Sequence, residues 1–453
     1  MAHVPQADSA PPAPLPLPLS GRATRTGESP ITQLMARALT SPTVISFAPG
    51  LVDFESLPVD LVSRAQSKVL ASAGKQALQY GTTAGLPRLR QWMVEHLAEL
   101  ENLTADQVAR EMSVTADDVV VTTGSQQALL LIGDVLLDPG DLVIAGGPSY
   151  FVCTNLFESL GAEVLTVPAN EGGMDLDALK ALVDQLEEEG RLHKLKLVYV
   201  QPFFANPTGL CLAEERREPL VKLVEEVGWR VGHRVLLLED AAYRELYHGD
   251  TSPGSSLKRY DHQNSAVASC YTFSKPLSPG MKTGYAFLPK GLVEPVLSQK
   301  GNHDFGSPNI CQHVLAELTT AGDYDRHVAG LREMYAGKCQ AMLAALDREL
   351  GETAHVTWTR PGGGMFVWLT LPDIIQTGQR GTLLDRCLDA DVMYVPGELC
   401  YAGAQRPASS MRLCFGSVDP SRIDEGVRRL ASAIKDELAS SHARSRTPEP
   451  AHP

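Results

Sequence analysis

The chain has 453 residues, of which 43% are hydrophobic and 21% charged, so it is too long for one ordinary core and comfortable for two. Its formal net charge of -14 argues against a nucleic-acid binder, which presents a basic face. No apolar run is long enough to span a bilayer, and the N-terminus lacks the basic-then-apolar order of a secretory signal.

Residues 1–28 are rich in Pro and Ala, without apolar periodicity, and predict a disordered tail. Residues 29–70 are expected to pack with a smaller domain. Residues 71–310 predict the large domain. From about 115 onward β-rich and helical runs alternate: strands at 118–122, 142–145, 163–167, 195–201, 234–239 and 266–273, with helices at 125–137, 150–160, 176–189 and 213–227. Such alternation predicts a mostly parallel sheet with helices on both faces. Ligands of such sheets gather at the carboxyl ends of the strands. After about 311 the pattern changes to long helices (312–321, 325–349), strand-like pieces near 356–359, 365–371 and 411–415, and an amphipathic helix at 421–438. This predicts a small α+β domain over 311–439 and a second tail over 440–453. There is no internal repeat. Eight cysteines, none in a CxxC pair, read as free thiols of a reducing cytoplasm. Cys270 reads as a small core residue.

Four features fall at strand ends. Lys275 follows the strand 266–273, with hydroxyls at Thr272 and Ser274 and a second cation at Lys282. A lysine so placed can hold an aldehyde cofactor as a Schiff base, while hydroxyls and a cation hold its phosphate. Gly124, Ser125 and Gln126 open a helix, where glycine admits close backbone approach and free N–H groups attract a phosphate; a simple N-cap at Ser125 fits the same residues. Asp240 ends an apolar strand and can keep a pyridine nitrogen protonated, with Tyr243 in reach of the ring oxygen; a helix cap is the plain alternative. Asn206-Pro207-Thr208-Gly209 is turn chemistry and needs no function by itself.

Taken in order, these pieces resemble the fold-type I pyridoxal-phosphate enzymes of the class I/II aminotransferase family. The matching elements are Tyr80-Gly81 with Gly85, Thr123-Gly124-Ser125-Gln126-Gln127, Pro148-Ser149-Tyr150, Asn206 to Gly209, Asp240 with Tyr243, Ser274-Lys275 with Pro279-Gly280, Gly363-Gly364-Met365-Phe366 and Met411-Arg412-Leu413. They cover residues 45 to 435. The Gly-Ser-Gln-Gln and Gly-Gly-Met-Phe-Val-Trp elements are similar to the branch of aminoadipate, kynurenine and broad-specificity aminotransferases.

The resemblance implies an α/β fold with a mainly parallel, seven-stranded type of sheet and a smaller α+β C-terminal domain. It implies pyridoxal 5'-phosphate as cofactor, amino-acid and 2-oxo-acid substrates, and a homodimer with shared sites. Lys275 would form the Schiff base and move protons at the substrate α-carbon. Asp240 would pair with the ring nitrogen. Tyr243 and Asn206 would bond the ring oxygen, and Tyr150 would stack on the ring. Gly124, Ser125 and Gln126, with Thr272, Ser274 and Lys282, would hold the phosphate. Tyr80 would reach the phosphate of a neighbouring subunit. Arg412 would grip the substrate carboxylate through its planar fork.

The sequence departs from the family in three places. Lys282 replaces the usual arginine, keeping the charge and losing the fork. Ala205 replaces a commonly amidic neighbour of the Asn-Pro turn. His303 to Ser307 fall in a loop expected near the site, where a helix-flanking loop is the plain reading. This fold also hosts cyclases and enzymes of β- or γ-elimination and replacement, some acting on S-adenosylmethionine, so non-transaminating chemistry stays open here. So does a regulator using the fold as a sensor, although no DNA-binding segment precedes the core-like region. No second arginine is securely placed for a distal carboxylate; Arg22, Arg25 and Arg37 are the possibilities.

Overall fold

The computed structural model describes residues 17–27, 43–403 and 406–446. The predicted tails over 1–16 and 447–453, and Arg37, lie outside the described residues. Fourteen strands are described: β1 (Ile45–Ser46), β2 (Val119–Thr122), β3 (Leu142–Gly147), β4 (Glu163–Asn170), β5 (Gly173–Met174), β6 (Leu195–Val200), β7 (Leu236–Asp240), β8 (Val267–Thr272), β9 (Gly284–Phe287), β10 (Thr357–Trp358), β11 (Phe366–Thr370), β12 (Val392–Met393), β13 (Val395–Pro396) and β14 (Ser410–Cys414).

The large sheet has eight strands in the order β2-β9-β8-β7-β6-β3-β4-β5. Its five adjacent strands β8, β7, β6, β3 and β4 are parallel. β9 runs antiparallel between β2 and β8, and β5 adds an antiparallel edge to β4. The strands alternate in the way that burial on both faces demands. Leu197, Tyr199, Leu236, Leu238, Ala268 and Cys270 pack toward the face covered by the helices Ser125–Leu136 and Phe151–Leu160. Val198, Val200, Leu237 and Val267 pack toward the face covered by Leu176–Glu188 and Glu214–Val231. Period two then sets Asp240 on the side of Leu236 and Leu238, which is the side of Tyr199. Cys270 is fully buried in this core, as the sequence predicts.

The small domain is the antiparallel sheet β10-β11-β14-β13, backed by the helices Asp323–Leu350 and Pro420–Arg446. Residues 45–53 make contacts with it. β1 pairs with β12 through Ile45 and Val392, the Cys414 N–H donates to the Phe47 carbonyl, and Lys338 bonds Asp53 at 2.6 Å. The helix Val59–Ala77 reaches the helix Asn309–Thr320 through Lys68 and Glu317.

Two predicted boundaries differ. The last helix continues to Arg446, past the boundary expected at 439. Part of the N-terminal tail is ordered against the large domain: Gly21–Arg25 is a short helix capped by Ser20, Arg22 pairs with Asp134 at 3.1 Å, and Arg25 donates to the Ser159 carbonyl at 3.3 Å. Charged anchors hold a segment whose composition shows no apolar face.

Candidate active site

Three neighbouring strand ends build a floor. Thr122, Gly284 and Thr272 lie in register across β2, β9 and β8. A Cβ on Gly284 would stand 2.6 Å from the Ser125 nitrogen and 2.7 Å from both the Gly124 carbonyl carbon and the Tyr271 oxygen. Only glycine lets the turn after β2 settle on the end of β9. Gly124 has φ +76°, the left-handed region that favours glycine, with open space where a Cβ would be. It sits at the N-cap of Ser125–Leu136, which has no side-chain cap. Among the described residues no group is bonded to the Ser125 and Gln126 N–H donors, which form an anion-binding helix end. On the β8 side, the Ser274 N–H donates to Thr272 Oγ1 at 3.1 Å, and the Thr272 hydroxyl donates to Ser274 Oγ at 3.0 Å. Both hydroxyls therefore edge the same floor.

Lys275 follows in the turn that β8 enters. Its Nζ donates to the Gly50 carbonyl at 2.7 Å and stands 5.8 Å from the centre of the Tyr243 ring. Burial, the largest influence, holds its pKa below the ordinary lysine value. Asp240 ends β7 and is 3% exposed. It accepts from the Tyr199 hydroxyl at 2.8 Å, from Gln201 Nε2 at 3.2 Å and from the Ala242 N–H at 3.2 Å. Burial raises its pKa against the pull of these donors. Tyr199 was not singled out by sequence, although the alternation of β6 carries the signal. Gln201 also accepts the Asn206 N–H at 3.1 Å, which ties the Asn-Pro turn to Asp240.

Arg412, 2% exposed on β14, donates from Nη1 to Asn206 Oδ1 at 2.9 Å and from Nη2 to the Ala48 carbonyl at 2.6 Å. Its Nε has no partner. Phe366 and Phe151 flank the guanidinium at 4.8 and 5.8 Å. Tyr243 stands edge-on to Phe366 at 5.4 Å between ring centres. The Tyr150 hydroxyl is held well above its ordinary pKa, first by burial and then by the Asp240 charge. An interdomain crevice of about 390 Å³ shares Tyr199 and Gln201 with this cluster and is closed on the small-domain side by Trp368, Thr370 and Ser410.

The site residues read from sequence thus converge, apart from two. Lys282 is exposed and has φ +47°; its N–H donates to the Pro279 carbonyl at 3.3 Å, and its side chain makes no bond within the described residues. Tyr80 is 85% exposed, 6.4 Å from the Phe305 ring. Arg22 and Arg25 are engaged with the large domain at Asp134 and Ser159. Asp304 bonds Gln127 and Lys300 behind the turn that opens the helix Ser125–Leu136, while His303 is exposed. Besides Tyr199, sequence missed the Ala48 and Gly50 carbonyls, since a backbone oxygen leaves no side-chain signal.

The donor set fits pyridoxal 5'-phosphate. It offers an amine with a lowered pKa, a buried carboxylate without a cation, and free N–H groups at a helix end. No group of three or more His, Cys, Asp or Glu residues able to hold a metal occurs among the described residues.

Residues 42–430 match the family "Aminotransferase class I and II". The chain is 34% identical to aromatic-amino-acid aminotransferase 1 of Thermococcus litoralis over 411 residues, covering 90% of this chain and 92% of that one. It is 35% identical to the 2-aminoadipate transaminase of Thermus thermophilus over 399 residues, covering 88% and 92%. The crystal structure of Pyrococcus horikoshii kynurenine aminotransferase superposes with a TM-score of 0.83 at 32% identity, covering 93% of this chain and 97% of that one. The chain therefore belongs to the class I and II aminotransferase family and is a pyridoxal 5'-phosphate-dependent transferase.

Proposed function

We propose that Lys275 is the amine at which this aminotransferase moves an amino group between an amino acid and a 2-oxo acid. The observation that carries this reading is a pair of uncompensated groups in one cleft. Asp240 is a buried carboxylate with no cation bonded to it, and Lys275 is an amine with no carboxylate bonded to it. Bound pyridoxal 5'-phosphate supplies an aldehyde for the amine and a ring that takes up the electrons left when the substrate loses its α-proton. Lys275 would hold the cofactor and, once displaced by the substrate amine, take that proton; its lowered pKa favours the neutral form the step needs. Asp240 would keep the ring nitrogen charged, with Tyr199 and Gln201 fixing its carboxylate. Asn206 and Tyr243 would bond the ring oxygen, and Tyr150 would cover the ring. Arg412 would exchange the Ala48 carbonyl for the substrate carboxylate, which its fork fits better.

Amino acids with an apolar or aromatic side chain are the proposed donors. Phe151 and Phe366 flank the carboxylate-binding arginine, and neither Arg22 nor Arg25 is free to meet a distal carboxylate. A homodimer is also proposed: Tyr80, Leu78 and Phe305 are 85%, 71% and 74% exposed, an apolar patch suited to a second copy. The eight free cysteines accord with a reducing cytoplasm.

A screen of amino substrates with the loaded protein, following visible absorbance and product mass, tests the reading. Expected are an absorbance change with apolar and aromatic amino acids and stoichiometric 2-oxo acid. Lys275→Ala should lose turnover by about 10²–10⁴-fold or more. A cyclised or side-chain-eliminated product, without amino transfer, would overturn it.

A further inference from the structure

The turn that offers Ser125 and Gln126 does not stand on its own. Gln127, at the third helical position, reaches back so that its Oε1 accepts the Thr123 N–H at 2.7 Å. Its Nε2 donates to Asp304 Oδ2 at 2.8 Å. Lys300, whose side chain is fully buried, donates to Gln127 Oε1 at 3.1 Å, to both Asp304 oxygens at 2.9 Å and to Ser307 Oγ at 3.0 Å. Asp304 also accepts from the Thr123 hydroxyl at 3.3 Å and the Gly306 N–H at 3.0 Å. Ser307 closes the ring with a bond to the Val121 carbonyl at 3.4 Å. The end of the helix Val293–Asp304 is thereby bolted to the end of β2 and to the helix that starts at Ser125.

Stability alone is a weak reason for such an arrangement. A buried ion pair loses about as much in desolvation as it regains in attraction. Specification of one geometry is a better reason. The charges dictate which way the Gln127 amide faces: its NH₂ must meet the carboxylate and its oxygen must meet the ammonium. That orientation is the one in which the oxygen also takes up the Thr123 N–H. Gln127 thus satisfies the donor just before the N-cap, the Gly124 N–H meets the Thr122 carbonyl at 2.9 Å, and the Ser125 and Gln126 donors stay open. An anion site at a helix end binds well only when its N–H groups are held in place before the anion arrives.

We propose that the Lys300–Asp304 pair, acting through Gln127, is a positioning device that holds the Thr123–Gln126 turn open for the cofactor phosphate. None of the three is a catalytic residue. The proposal rests on the reading of Ser125 and Gln126 as phosphate donors. It also gives a role to the segment 303–307 other than a substrate loop.

The test compares the affinity of the apoenzyme for pyridoxal 5'-phosphate with its affinity for pyridoxal, which lacks the phosphate, by absorbance titration. The ratio of the two isolates the phosphate contribution, and a general loosening of the fold would weaken both ligands and leave it unmoved. Asp304→Asn, at a side chain 25% exposed, and Lys300→Gln should each lower the ratio by about tenfold, the worth of roughly one well-placed hydrogen bond to a charged group. The control is Ser125→Pro, which removes one phosphate-facing N–H at a position where proline suits a helix. A ratio that falls in Ser125→Pro and stays at the wild-type value in both other variants overturns the positioning role. A ratio unmoved by Ser125→Pro sinks the phosphate reading itself, and the proposal with it.

Discussion

The two sides of the cleft are built in different ways. On the proposed cofactor side Asp240 and the phosphate turn are held within the large domain: Asp240 by Tyr199, Gln201 and the Ala242 N–H, and the turn by Gln127, Lys300 and Asp304. On the other side Lys275, proposed to hold the cofactor aldehyde, and Arg412, proposed to hold the substrate carboxylate, each spend a donor on a backbone carbonyl of the segment 43–54, Gly50 and Ala48. The first kind of contact is a fixed bed, since its partners sit on strands and helices with packed neighbours. The second kind is exchangeable: a carbonyl satisfies a cation, and a substrate carboxylate satisfies it better. On the proposed roles, the cleft keeps the bed for its cofactor while its two cations wait in provisional bonds.

Breaking the fixed side should cost most. Asp240→Asn keeps the shape and the Tyr199 contact and removes the charge proposed to pair with the ring nitrogen. Turnover at saturating substrate should fall by about 10²–10³-fold, the scale for losing one preorganised charge partner. Steady-state rates against wild type check this. A variant within a factor of three of wild type would show that Asp240 only caps the turn after β7.

The bed can also be loosened by pH. His96, on the helix Pro87–Leu100, bonds Glu245 at 2.8 Å in the turn that carries Tyr243, and the Tyr324 hydroxyl donates to the other Glu245 oxygen at 2.8 Å. Burial pulls the His96 pKa down, but the Glu245 charge and hydrogen bond outweigh it, with help from Glu99, and raise it to about 9. A raised folded-state pKa contributes stability that is fully present below about 6.5 and lost as pH climbs through about 9. The loss on the alkaline side should be about 3 kcal/mol. The apoenzyme should melt at a lower temperature at pH 10 than at pH 7. If that slope persists in the double variant His96→Gln, Glu245→Gln, the ion pair is not its source.

What the sequence discloses follows the same division. The fixed side was legible because each of its groups terminates a recognisable element. Asp240 ends an apolar run of β-type residues, and Gly124 precedes a helix with no competing cap. The predicted strand 195–201 already contained Tyr199, and its alternation carries the signal for a contact with Asp240, although Tyr199 was not singled out. On the provisional side Lys275 and Arg412 were legible, but their carbonyl partners were not. β1 pairs with β12 across almost the whole chain, and carbonyl contacts from such a segment depend on backbone path rather than side-chain type. The Gln127–Asp304 contact hid for a related reason: it links two helix ends 177 residues apart, each of which reads as an ordinary terminus.

The provisional side gives the smallest predicted effect and the one that most sharpens the contrast. Arg412→Lys keeps the charge and gives up the fork. A lysine can meet one of the two present partners, Asn206 Oδ1 or the Ala48 carbonyl, and would offer a single point contact to a carboxylate. One charge-assisted bond is worth about 1.5–3 kcal/mol, so the KM for the amino donor should rise about tenfold to a hundredfold. Affinity for pyridoxal 5'-phosphate should stay at the wild-type value, because no contact of the fixed bed passes through Arg412 except the one to Asn206. Parallel measurement of KM and cofactor affinity decides the matter. A variant that loses both together would mean that Asn206 depends on Arg412 for its place, and that the two sides of the cleft are one unit after all.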